Sequence, residues 1–356
     1  MTQFGATWQG EGPLRGDDAS AAIPSAADAP AIGPRGAGAA PADGPRVDQP
    51  VTAAFHSPTP VDLRLTLAPL GHGPSDPAFR LRPDEAWLAR RTDRGGATLR
   101  LRGDPDFRSA ITIVATAWGP GAADALDAVP GLAGLLDDPS ALVVASPLLR
   151  DLQRRHAGLR LPRSGQLVLH LAAAVTEQKV TGTEAHAAWA GLLRGHGELA
   201  PYPGPAAPRL RLPPTTAILA SIRYFELHRV GLERRRAEVL AAIGRRGAEI
   251  ETLTTLAPGE AMARLQRIPG IGPWSAAEAV RLAFGDPDAV SVADAHLPDL
   301  VAWALAREPR GDDARMLELL APYAGQRARV ARLLEVSRIE PPRRGPRFSP
   351  RDIRGL

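Results

Sequence analysis

The string Leu265-Gln-Arg-Ile-Pro-Gly-Ile-Gly-Pro-Trp-Ser-Ala-Ala-Glu-Ala-Val280 constrains the fold more than any other part of this chain. A short helix ends at Ile268, a turn follows at Pro269-Gly-Ile-Gly272, and Pro273 opens a second helix in its first turn. The glycines at 270 and 272 permit backbone conformations closed to other residues. They also expose amides at a helix N-terminus, where free N–H groups and the helix dipole favour an anion. A hairpin of Pro269, Gly270, Ile271 and Gly272 is thus suited to grip one backbone phosphate without reading any base. A bare pair of glycines would serve connection geometry alone. The helix on each side, and an acidic residue a short way downstream, favour the phosphate reading.

The rest of the chain divides by pattern. Residues 1–52 are Ala, Gly, Pro and Asp with few large aliphatics, a composition that cannot offset its ordering entropy, so a disordered tail is expected. Residues 53–160 read as a small α+β domain. Val61–Leu67 alternates apolar and polar residues like a half-buried strand, and 86–91 with 97–101 form a hairpin around Asp93-Arg-Gly-Gly96. Ala110–Trp118 supplies one more strand, and helices fit 121–136 and 146–156. Residues 161–340 are helical. One long pattern runs from Leu167 to Arg194 with a break near Gly182, followed by helices at 215–228, 232–246, 259–268, 273–284, 295–307, 312–321 and 325–336. Residues 341–356 form a basic, proline-rich tail. The fold class is α+β: a small antiparallel-sheet N-terminal domain followed by a mostly α-helical domain.

Composition narrows the chemistry. The chain has no cysteine, which excludes disulfides, thiolate zinc sites, a cysteine nucleophile and a cysteine-ligated iron–sulfur cluster. Lys179 is the only lysine among 43 Lys and Arg residues. No apolar run reaches the ~18 residues that would span a bilayer, and the start of the chain lacks a signal-peptide pattern. A cytoplasmic, nucleoid-associated monomer without cofactor is expected. No side-chain metal site is read from the sequence; a monovalent cation on hairpin carbonyls would leave no side-chain signature.

The hairpin, together with Asp288-Ala-Val-Ser-Val-Ala-Asp-Ala-His-Leu-Pro-Asp-Leu300 downstream, resembles the helix–hairpin–helix DNA glycosylase superfamily, specifically its DNA-3-methyladenine glycosylase II branch. The resemblance covers residues 60–340 and is strongest over 265–305. It implies a monofunctional enzyme of base excision repair that flips an alkylated purine out of double-stranded DNA and hydrolyses its N-glycosidic bond. It also implies that Asp294, after the strand-like Val-Ser-Val, is the essential aspartate. Read without the hairpin, Asp294 is a helix cap, and the two readings are compatible because a cap near helix dipoles suits an anion. A fixed carboxylate would stabilise the positive charge that develops on the deoxyribose as the bond breaks.

By the same resemblance Gln178, in Ala174-Val-Thr-Glu-Gln-Lys-Val-Thr181, flanks the gap left by the flipped nucleotide, and Trp274 and Tyr323 stack on the base. His296 would orient Asp294 or touch DNA, whereas Asp299 faces solvent or pairs with an arginine. Arg327, Arg329 and Arg332 are candidates for phosphate contacts; Trp189, Tyr224 and Phe225 are explicable as core, and Trp303 is assigned to it. Bifunctional relatives place a Schiff-base lysine where this chain has Trp274, and Lys179 is far away in sequence, so no lyase activity is expected. Ala293 and Ala295 leave more room beside Asp294 than relatives have. Two other functions stay open: a non-catalytic DNA-binding relative, and a glycosylase for another damaged base.

Overall fold

The computed structural model describes residues 7–8, 49–103, 110–144 and 146–342. Six antiparallel strands form one sheet: β1 (Thr7–Trp8), β2 (Val51–Ser57), β3 (Phe79–Leu81), β4 (Glu85–Thr92), β5 (Gly95–Arg102) and β6 (Ile111–Trp118). Their order is β1-β2-β6-β5-β4-β3. The expected hairpin is β4–β5, with Thr92 opposite Gly95 across the turn. Alternate residues of β6, Ile111, Ile113, Ala115 and Ala117, are buried, as a sheet with one face on a core requires.

Two expectations about this region need correction. Thr7 and Trp8 pair with Ala54 and Ala53, and β2 begins at Val51, so the first 52 residues are not wholly without structure. The other tail residues, 9–48, and 343–356 at the far end lie outside the described residues. Val61–Leu67 is not a strand: Leu63–Leu67 is helical, and the carboxylate of Asp62 accepts from the Leu65 amide at 2.9 Å. An N-cap outweighed a short alternation that fits either structure.

The packing ignores a boundary at residue 160. Leu282, late in the chain, buries with Leu99 and Ile113 under the sheet. Leu142, Leu149, Leu152 and Leu159 pack with Val301, Met316, Val330 and Leu334 near the C-terminus. The long helical pattern splits into Leu167–Glu177 and Gly182–His196, with the break at 178–181, next to Gly182. Thr181 and Glu184 form a capping box that starts the second helix. The expected helices at 121–136 and 215–228 are each broken in two, at Ala122–Asp127 and Val129–Leu132, and at Thr216–Ser221 and Tyr224–His228. Trp189 is core at 2% exposure, Tyr224 is half-buried, and Phe225 is exposed. Trp303 is only half-buried, with the Arg307 guanidinium 5.7 Å from its ring centroid. No helix among the described residues is long and apolar enough to cross a membrane.

One buried titratable group makes the fold sensitive to acid. His170 lies inside the Leu167–Glu177 helix with Nε2 2.7 Å from Ser164 Oγ. Burial, with repulsion from His72, Arg90 and Arg281 adding to it, pushes its imidazole well below the ordinary 6.5. The unfolded chain therefore takes up this proton first as pH falls. The His170 contribution is complete above pH 6.5 and is lost progressively below it, by up to about 1.4 kcal/mol per pH unit. Urea unfolding at pH 7.5 and 5.5 should show this loss in the wild type, and His170→Asn should shed one proton's worth of it. An unchanged slope in the variant would assign acid sensitivity to other groups.

Candidate active site

The hairpin is anchored by its side chains and exposed by its backbone. Ile268 and Ile271 are buried in the helical core with Val239 and Leu265, while Pro269 and Gly270 face solvent. Gly270 has φ +90, and a Cβ there would lie 2.3 Å from Val239 Cγ2, so both conformation and space demand glycine. Gly272 is different. Its φ of −94 is open to any residue and nothing approaches its Cβ position, so its smallness serves only access from outside. The helix Pro273–Phe284 starts here, and Ala276 donates to Gly272 O at 3.1 Å. The amides of Trp274 and Ser275 precede that bond and have no intrahelical acceptor.

Asp294 is held by three hydrogen bonds. Its Oδ1 accepts from the amides of His296 and Leu297, both at 2.8 Å, at the start of the helix Leu297–Ala306. Its Oδ2 accepts from Trp274 Nε1 at 2.9 Å. The cap reading is thus realised, and the same carboxylate is tied to the residue just past the hairpin. The stretch before it is not strand-like: Val290–Val292 is irregular, and Ala293 turns left-handed at φ +68. Asp313 accepts from the Ala293 amide at 3.0 and 3.1 Å and so holds that turn. Asp313 was not singled out in the sequence, because its partner is a backbone amide 20 positions away.

Asp294 and the hairpin open onto one cleft of about 2330 Å³. Gln178, Lys179, Trp274 and His296 line it as well, so four sequence candidates and the only lysine meet there. Gln178 does not face solvent freely. Its Nε2 donates to Gly270 O at 3.0 Å and Ser275 Oγ at 2.8 Å, bracing the hairpin against the end of the preceding helix. His296 is exposed and serves Asp294 through its amide rather than its ring.

Tyr323 is not among the lining residues; it packs on the C-terminal core, where burial pushes its hydroxyl upward. Trp274 is the only aromatic ring of Phe, Tyr or Trp type among those lining the cleft, so the expected aromatic pair is not assembled.

Charged groups occupy the wall instead. Glu278 lies one helical turn beyond Trp274, on the same face. It takes Arg281 Nε at 2.9 Å and Nη2 at 2.5 Å, and the Ser291 hydroxyl also donates to it. The link from Glu278 to Ser291 parallels the link from Trp274 to Asp294, so two rungs fasten this helix to the loop that carries the aspartate. Glu278, beside Arg281, holds that guanidinium above its ordinary range despite burial.

The arginines expected on phosphates are already engaged. Arg327 pairs with Asp288, Arg329 is buried against Asp137, and Arg332 pairs with Glu335 and reaches Leu65 O. Asp299 accepts from the Gly311 amide at 2.9 Å rather than from an arginine. On the rim, Lys179, Arg229 and Arg235 are exposed. Among the described residues no group of His, Asp and Glu is placed to hold a metal ion.

No protein-family model matches this chain, and no curated protein matches it. Solved structures do. A 3-methyladenine DNA-glycosylase from Archaeoglobus fulgidus aligns with TM-score 0.68 at 18% identity, over 80% of this chain and 98% of that one. The 8-oxoguanine glycosylase/lyase of Clostridium acetobutylicum, bound to duplex DNA, aligns with TM-score 0.62 at 12% identity, over 80% and 93%. MBOgg1 with a low-affinity DNA ligand gives TM-score 0.62 at 14% identity, over 80% and 93%. At these identities the likeness establishes the shape of the backbone, α+β with an antiparallel sheet beside many helices.

Proposed function

We propose that this chain, whose fold is that of the helix–hairpin–helix DNA glycosylases, removes damaged bases from double-stranded DNA by hydrolysing the N-glycosidic bond. The observation that carries the reading is the Asp294 carboxylate, fixed by three hydrogen bonds on the wall of a cleft that the hairpin borders. A nucleotide rotated from the duplex into this cleft would bring its sugar to that carboxylate. As the bond to the base lengthens, positive charge grows on the sugar, and an anion already held in place needs no reorganisation to meet it. The amides of Trp274 and Ser275 would hold a phosphate of the same strand, and Lys179, Arg229 and Arg235 supply positive charge on the rim.

Position 274 offers an indole and no amine, so water is the nucleophile in base removal. A carboxylate without a strong acid partner suits bases that leave readily. Purines alkylated at N3 or N7 carry positive charge before the bond breaks and depart neutral, and Trp274 offers such a cation one aromatic face. The substrate class we assign is therefore alkylated purine in duplex DNA. The test is release of free 3-methyladenine and 7-methylguanine from methylated duplex DNA. Salt-sensitive duplex binding with no base released from any lesion would instead fit a DNA-binding module in which Asp294 only starts a helix.

Trp274 gives a graded check. Trp274→Phe keeps a ring and deletes the Nε1 donor to Asp294. A hydrogen bond to a charged group is worth about 1.5–3 kcal/mol, so kcat should fall roughly ten- to a hundredfold. KM should move much less. An unchanged kcat would mean that the two backbone amides orient Asp294 sufficiently.

A further inference from the structure

We propose that Asp313 is a positioning residue for base removal: its carboxylate imposes the left-handed turn at Ala293 that sets Asp294 against the hairpin. The inference rests on the reading that Asp294 meets the sugar of a flipped nucleotide, and it adds a second acidic side chain to what that reading requires.

The backbone before Asp294 runs against its own preference. Ala293 has φ +68. A residue with a Cβ rarely adopts this conformation, and it persists only where the surroundings impose it. The consequence reaches the carboxylate. The bonds that Asp294 accepts from the His296 and Leu297 amides are local and travel with it. Its bond from Trp274 is not local, because that indole stands on the helix Pro273–Phe284. A return of residue 293 to negative φ would therefore shift Asp294 against Trp274 and the hairpin while leaving its helix cap intact.

Asp313 is what opposes that return. Both of its oxygens accept from the Ala293 amide, at 3.0 and 3.1 Å, a bond strengthened by the charge on the acceptor. Its own helix, Asp313–Leu320, does not need this carboxylate as a cap, since Asp312 accepts from the Arg315 amide at 2.8 Å.

The chain between the two residues is built to bring them together. The helix Leu297–Ala306 ends at Arg307, which turns left-handed at φ 60, and the chain folds back along it. The Gly311 amide donates to Asp299 Oδ1 at 2.9 Å. A Cβ on Gly311 would lie 2.7 Å from both Ala302 Cβ and Pro298 O, so the return loop approaches the helix as closely as only glycine allows. Arg315 fastens the loop from the other side through Glu308, at 2.9 and 2.6 Å. The second helix thus begins beside the turn that precedes the first, and Asp299 serves this return.

The experiment measures kcat and KM for release of 3-methyladenine from methylated duplex DNA, with thermal unfolding of each variant of the full chain. Asp313→Ala should lower kcat by about tenfold or more while KM moves less than about threefold, since a misplaced reacting group costs rate rather than affinity. Asp313→Asn keeps an oxygen that can accept from the Ala293 amide and should retain at least about a third of the wild-type kcat. The deciding comparison uses Ala293→Gly, because glycine has no bias against positive φ, and in that background Asp313→Ala should cost less than about threefold in kcat. An acid that only stabilised its own helix would gain nothing from a change 20 positions away. Should Asp313→Ala fail to fold, recovery of fold and kcat by Ala293→Gly supports the proposal, and no recovery overturns it. An unchanged kcat in folded Asp313→Ala, or an equal loss in both backgrounds, would overturn the proposal and leave the glycosylase reading standing. A wild type that binds duplex DNA and releases no base would overturn the function together with this role of Asp313.

Discussion

Asp294→Asn should reduce base release from methylated duplex DNA by at least about a hundredfold while leaving duplex affinity nearly unchanged. The magnitude follows from what one preorganised electrostatic group contributes when charge develops beside it, on the order of 10²–10³ in rate. Asparagine preserves shape, and its carbonyl oxygen can still accept from the amides of His296 and Leu297. Its NH2 cannot accept from Trp274 Nε1, so one hydrogen bond is lost as well as the charge. That bond alone accounts for less than the full loss, which is why Trp274→Phe is the partner measurement: the larger fall in Asp294→Asn isolates the charge. Thermal unfolding should change by no more than about 1.5–3 kcal/mol, the worth of the lost bond to a charged group. Retention of base release in a folded Asp294→Asn protein would reduce Asp294 to a structural cap.

The largest expected effect on stability lies elsewhere. Asp137→Ala should destabilise the fold by about 3–5 kcal/mol, since it leaves a buried guanidinium without its counter-charge. Arg329 and Asp137 have side chains only 2% and 7% exposed. Arg329 Nη1 donates to Asp137 at 3.0 Å, Nη2 makes a second contact, and Nε donates to Gln326 at 2.7 Å. Asp137 also accepts from the Leu161 amide at 3.0 Å. One carboxylate thus joins the end of the sheet region, the entry to the helical core and the C-terminal helix Arg327–Val336. Urea unfolding of Asp137→Ala measures the loss. The double variant Asp137→Ala with Arg329→Met should recover a large part of it, because the cost comes from an unpaired buried charge rather than from missing attraction. A double variant as unstable as the single one would point to the Leu161 contact instead.

Sequence alone determined the parts of this protein whose physics is local. The hairpin was legible because proline at a helix start and glycine at φ +90 are required by backbone geometry over eight residues. The β4–β5 hairpin and the C-terminal helices followed from periodicities that a short window contains. Local signals also misled at Val61–Leu67, where a seven-residue alternation fits a capped helix as well as a strand.

The tertiary structure decided everything that depends on which distant residues meet. The string around Gln178 names no partner for its side chain; only the fold brings it to Gly270 and Ser275, over 90 positions away. Tyr323 matched an expected aromatic by its local string, yet its helix turns it onto the C-terminal core. Arg327, Arg329 and Arg332 look alike in sequence, and only their packing shows each already held by an acidic side chain. Periodicity and caps are written within a few residues; the identity of a side chain's partner is fixed only when the whole core has packed.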